Sequence, residues 1–139
     1  MTIIVTDTGF AADDWTAPVV VLADLPADDA PVLAVDLGPT DNPDVLRDRI
    51  GRIDLIRVAF NAFNDGRGFT IAHQLRAMGY QGRLRARGHV IADQYAMIRR
   101  AGFDEVEISA ALAARQPQAH WLARANWRAH DYRARMRHG

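Results

Sequence analysis

Four short apolar segments recur along the chain, VLAVDL at 32–37, LIRVAF at 55–60, RLRAR at 83–87 and EVEIS at 105–109. Each has the length and residue types of a β-strand. Between them lie stretches with helical punctuation: NPDVLRDRI, GFTIAHQLRAMG and VIADQYAMIRRAG. Asn42 stands where a helix cap belongs, with Pro43 at the first helical position. Ile71, Leu75 and Met78 share one helical face and Gly79 closes that helix; Ile91, Tyr95 and Ile98 form the next stripe, closed by Gly102. A strand-helix alternation of this kind predicts an α/β fold: repeated β-α units with right-handed crossovers and a mainly parallel sheet. The sheet is either open or part of a barrel-like wall, and its apolar strands suit burial on both faces.

A single domain of three parts is expected. Residues 1–31 carry short N-terminal strands, IIVT and PVVVLADL, forming a hairpin or an edge. Residues 32–115 are the β-α core. Residues 116–139 read as a C-terminal helix with Trp121 and Trp127 almost two turns apart and an Asp131–Arg135 pair. Trp121, Trp127 and Tyr132 are expected to pack on the core or to form a homo-oligomer interface.

A hydrophobic content of 49% with 24% charged residues belongs to a globular chain. The absence of cysteine excludes disulfides, thiol catalysis and thiolate metal or cluster ligation by this chain. Histidines at 73, 89, 120, 130 and 138 show no metal-site spacing, and neither a P-loop nor a dinucleotide fingerprint is present. No cofactor is therefore evident. With no basic leader or long apolar run at the start, a cytoplasmic protein without a membrane span is expected. The Arg-rich tail has no accompanying nucleic-acid module, so no nucleic-acid partner is expected. The formal net charge of zero conceals an asymmetry: residues 1–56 hold eleven Asp against three Arg, and residues 57–139 hold fourteen Arg against six acids. That is either compositional bias or a basic face that meets an anion or an acidic partner.

In parallel α/β sheets ligands gather at the carboxyl ends of the strands. The loops that begin there carry DLGPTDN, NAFNDGRGF, RGHVIADQ and SAALA. This places Asp65, Gly66, Arg67, Gly68, Thr70, Arg87, His89, Asp93 and Gln94 on one edge as candidates for anion or ligand binding. Two glycines before a helix free the backbone for close approach, and Arg67 between them has a donor fork suited to an oxyanion. The structural alternative is an Asp-Gly turn in which Arg67 pairs with a carboxylate. Arg85 and Arg87 share a strand face and need partners or a cleft. His89 and Asp65 are the candidate acid/base groups, and Asp93 can equally serve as a helix-start residue.

The run from Phe60 to Ile108 resembles the core of the DUF934 family of bacterial proteins. The shared pattern is Asp65-Gly66-Arg67-Gly68-Phe69-Thr70, a helix, a strand from Gly82 to Gly88, Asp93-Gln94 at a helix start, and Arg100 to Asp104. The likeness is specific over 55–109 and looser in the N-terminal third and after 115. One departure is that a Pro commonly precedes Phe63 where this chain has Asn61 or Ala62. The resemblance implies a small companion of assimilatory sulfate and sulfite reduction, acting beside sulfite reductase and a phosphoadenylylsulfate reductase. It implies an oxidoreductase label but carries no catalytic residue. An accessory that binds a small oxyanion or docks on a reductase, an enzyme acting on a sulfur oxyanion or its nucleotide ester, and a structural or oligomeric interaction protein are the three readings that follow.

Overall fold

The computed structural model describes residues 2–26 and 32–130. Seven strands form one open sheet, not a barrel: β1 (Thr2–Thr6), β2 (Gly9–Ala12), β3 (Val20–Val21), β4 (Ala34–Leu37), β5 (Leu55–Phe60), β6 (Arg83–Gly88) and β7 (Glu105–Ser109). Their order is β2-β1-β7-β6-β5-β4-β3. From β3 to β7 all neighbours are parallel, while β1 runs antiparallel to both β7 and β2. The expected hairpin forms with residues 9–12 and not with PVVVLADL, whose two-residue strand lies on the opposite edge.

Parallel strands in sequential order, joined by crossovers of one hand, place their connecting helices on a single face. Helix α1 (Arg67–Ala77) follows β5, α2 (Tyr95–Ala101) follows β6, and α3 (Ala110–Arg115) and α4 (Gln118–Leu122) follow β7. The core lies between this layer and the sheet. Val35, Ile56, Val58, Leu84 and Val106 from the strands meet Ile71, Leu75, Ile98, Leu112 and Trp121 from the helices. The helix expected at 42–50 is a 3₁₀ helix, Pro43–Arg52, whose buried residues are Pro43, Leu46 and Arg49. A spacing of three matches the 3₁₀ repeat, so the burial pattern itself selects the tighter helix. Asn42 caps it as expected, and Gly79 and Gly102 end their helices with φ of 97° and 117°.

The central strands β4 to β7 are largely buried on both faces, but the second face is charged. Alternate residues Asp36, Arg57, Arg85 and Glu105 lie opposite the helices as register partners across β4, β5, β6 and β7. Because β2 and β3 sit on opposite edges, residues 13–19 must cross the whole sheet. Their carboxylates pair with Arg83 and Arg85, which fixes the crossing on the charged face. This strap is what closes the second face.

The C-terminal segment within the described residues is the short helix α4 followed by a 3₁₀ turn, Trp127–His130; Tyr132, the Asp131–Arg135 pair and His138 lie outside those residues. Trp121 is fully buried in the core and donates its indole N–H to the Gln116 carbonyl at 2.8 Å. Trp127 is clasped by Asp7, which also accepts from the Tyr95 hydroxyl and from Arg99, and Arg99 stacks on the Trp127 ring. Burial raises the Asp7 carboxyl, but these hydrogen bonds together outweigh it and hold the group below its ordinary value. A lowered native pKa contributes stability that is complete above the usual carboxylate range and is lost as pH falls through the native value. Urea unfolding should therefore show wild type more stable than Asp7→Asn at pH 7, with the gap closing near pH 3. An equal gap at both pH values would remove the clasp as its cause.

Candidate functional site

The loop between β5 and α1 contains the most closely knit of the expected site residues. Asp65 accepts three hydrogen bonds from Arg67: from its backbone N at 3.1 Å, from Nε at 3.0 Å and from Nη2 at 3.0 Å. Each group stabilises the other's charge, so the Asp65 carboxyl is lowered and the Arg67 guanidinium raised. The arginine nevertheless keeps 57% of its side chain exposed. The two glycines of the loop differ in what they do. A Cβ on Gly68 would come within 2.5 Å of the Phe60 ring, so this glycine lets the helix start pack on a core aromatic. Gly66 has nothing within 4 Å of such a Cβ and an ordinary φ of −90°. No packing or dihedral requirement explains it.

Arg67 and Thr70 line a surface groove of about 320 Å³ shared with Thr40, Asn42 and Gln74. It continues through Asn42 and Gln74 into a second groove of about 390 Å³, at the Arg47–Asp44 ion pair. Asp65 and His89 do not line either groove.

The other expected residues fall into separate places. His89 is exposed, its backbone N–H donating to the Phe60 carbonyl at 3.0 Å and its ring edge-on to Phe63 at 5.8 Å. Gln94 is a latch: its amide oxygen accepts from the Ile91 N–H at 2.9 Å and its nitrogen donates to the Phe63 carbonyl at 2.6 Å. Asp93 pairs with Arg124 at 3.0 Å on the surface. Arg87 belongs to the charged sheet face, 3.7 Å from Asp36. The strand ends thus bring Asp65, Arg67 and Thr70 together, put Phe63, His89 and Gln94 beside them, and leave Asp93 and Arg87 apart.

The charged face is the large feature that inspection of the loops does not find. Arg57 forks onto Asp36 at 2.6 and 2.7 Å and reaches Glu107 at 3.2 Å. Arg85, wholly buried, donates to Glu105 at 2.7 Å and Glu107 at 2.8 Å. Arg83 bridges Glu105 and Asp14. The opposite charges of the two parts of the sequence therefore pair with one another across the fold: Asp7, Asp13, Asp14 and Asp36 pair with Arg99, Arg85, Arg83 and Arg57. The signal was present as period-two alternation of charge within otherwise apolar strands. Among the described residues, no group of three or more His, Asp or Glu is placed to hold a metal ion, and no helix is long and apolar enough to cross a membrane.

No curated protein and no solved structure matches the chain. A family model described as a bacterial protein of unknown function, DUF934, matches residues 34–138. The chain belongs to this family.

Proposed function

We propose that this DUF934 protein is an accessory of assimilatory sulfite and sulfate reduction that docks on a reductase through the loop at 61–70. The observation that carries the reading is a rigidly held loop with an exposed aromatic and an exposed arginine. Phe63 keeps 43% of its surface exposed although its own carbonyl is latched by Gln94 and its ring is steadied by His89. Arg67 is likewise held by Asp65 while facing solvent. Fixing such groups before binding lowers the ordering penalty on association, and exposed aromatic and arginine side chains are the usual anchors of interfaces. Oxyanion capture by Arg67 is the weaker use of the loop, because Asp65 already occupies the Nε and Nη2 edge of the fork.

The test is a binding titration of purified sulfite reductase and of phosphoadenylylsulfate reductase with wild type, Phe63→Ala and Arg67→Ala. One of the two reductases should bind wild type, and each substitution should weaken that complex by about tenfold or more. The melting temperatures should stay close to wild type. Absence of binding to both reductases, or affinities unchanged by both substitutions, would refute the docking role.

A further inference from the structure

The two grooves beside the loop at 61–70 form one channel along α1. The first, of about 320 Å³, and the second, of about 390 Å³, share Asn42, Pro43 and Gln74. One wall is a single flank of the helix, where Arg67, Thr70, Ile71, Gln74, Ala77 and Met78 recur at the spacing of one helical face. The other wall is the chain from Pro39 to Asp44, with Arg47. From Arg67 to Met78 the helix rises about 16 Å, the span of about five residues of extended chain.

The charges at the two ends of the channel are already engaged. Arg67 gives Nε and Nη2 to Asp65, and Arg47 gives Nε and Nη2 to Asp44. The Asp41 carboxylate accepts the Gly38 N–H at 2.7 Å. Two arginines against three carboxylates leave no excess positive charge to draw an anion. What remains is uncharged hydrogen-bonding capacity. Among the described residues Thr40, Thr70 and Gln74 make no side-chain hydrogen bond, the Asn42 amide uses only its oxygen, and Nη1 of each arginine is unengaged. Pro39, Pro43 and Met78 add apolar surface.

A peptide main chain matches this lining. It carries no charge and presents a C=O and an N–H at each residue, and a glutamine amide can donate to the one and accept from the other. A long surface channel also covers a chain lengthwise better than it encloses a compact molecule. We propose that the channel receives an extended, uncharged polypeptide segment of the docked partner, laid along α1 with its main chain paired to Gln74 and Asn42. Arg67 belongs both to the channel and to the loop at 61–70, so the segment continues the docking surface. The inference rests on the docking reading for the source of that segment.

Overlapping synthetic peptides that tile sulfite reductase and phosphoadenylylsulfate reductase are titrated into the full-length protein, with adenosine as a compact uncharged control. The Gln74 side-chain amide resonance, assigned by its loss in Gln74→Ala, reports on the middle of the channel, and fluorescence anisotropy of the labelled peptide gives the affinity. At least one peptide should shift the Gln74 signal saturably. Ala77→Arg, which fills the channel from an exposed helical position, should weaken that peptide by about tenfold or more. Gln74→Ala should weaken it independently, Phe63→Ala should not, and the melting temperatures should stay near wild type. No saturable shift with any peptide, an affinity unchanged in Ala77→Arg, or an equal response to adenosine would each overturn the assignment. Spectral changes with protein concentration alone would give the channel to a second copy of the chain and overturn it too. The two readings fail separately. An intact reductase that binds Ala77→Arg as tightly as wild type but loses Phe63→Ala overturns the channel and leaves the loop. A channel-binding peptide whose parent reductase is indifferent to Phe63→Ala and Arg67→Ala overturns the loop and leaves the channel.

Discussion

Replacing Arg85 by Met should lower the melting temperature by on the order of 10 °C. Arg85 is wholly buried at the centre of the ionic network and joins Glu105 to Glu107. Removing one member of a buried pair leaves the other charge desolvated and typically costs about 3–5 kcal/mol. Here the lower end applies, because Glu105 keeps Arg83 and Glu107 keeps Arg57 as partners. About 3 kcal/mol corresponds to roughly ten degrees for a domain of this size. The decisive comparison adds Glu105→Gln and Glu107→Gln to Arg85→Met. If orphaned carboxylates cause the loss, the triple variant should recover part of it. A single variant that melts within a degree or two of wild type would mean that water or rearranged arginines satisfy the two glutamates, and that the network does not set the stability of the second face.

Gly88→Ala should be nearly as damaging, by about 3 kcal/mol, from two causes that act together. Gly88 has φ of 114°, a region that L-residues rarely adopt. A Cβ there would also lie 2.6 Å from the Phe60 carbonyl oxygen. That oxygen cannot retreat freely, since it accepts the His89 N–H across the end of the sheet. Relieving the clash would pull β6 from β5 where Arg87 and His89 leave the strand. Chemical denaturation should thus show a reduced midpoint for Gly88→Ala, while Gly66→Ala, with open space and an ordinary φ, should stay near wild type. Equal midpoints for the two variants would show that the strand end yields without penalty.

Family membership and the β-α architecture were both legible before any coordinates. The motif residues of the loop were legible as a group, but their employment was not. Asp65 and Arg67 are two residues apart, and composition alone left anion capture and mutual pairing equally open; the structure shows the pair formed. Gln94 stood near a helix start, yet its contact is Phe63, 31 residues earlier in the chain. Asp93 and Gln94 are adjacent in sequence and diverge in space, one to Arg124 and the other to the loop.

By itself the sequence determined where the strands at 55–60 and 105–109 begin and end, where Asn42, Gly79 and Gly102 punctuate the helices, and that the sheet is mainly parallel. These are local matters of apolar period, capping and permitted dihedral, and each is settled within a few residues. Tertiary structure alone decided that β2 and β3 stand on opposite edges, that residues 13–19 therefore cross the sheet, and that aspartates of the first part of the chain pair with arginines of the second. Alternation tells which residues share a face of a strand, but not which strand lies beside it or what covers that face. The ion pairs that answer this join residues as far apart as Asp13 and Arg85, and no local spacing encodes a contact of that range.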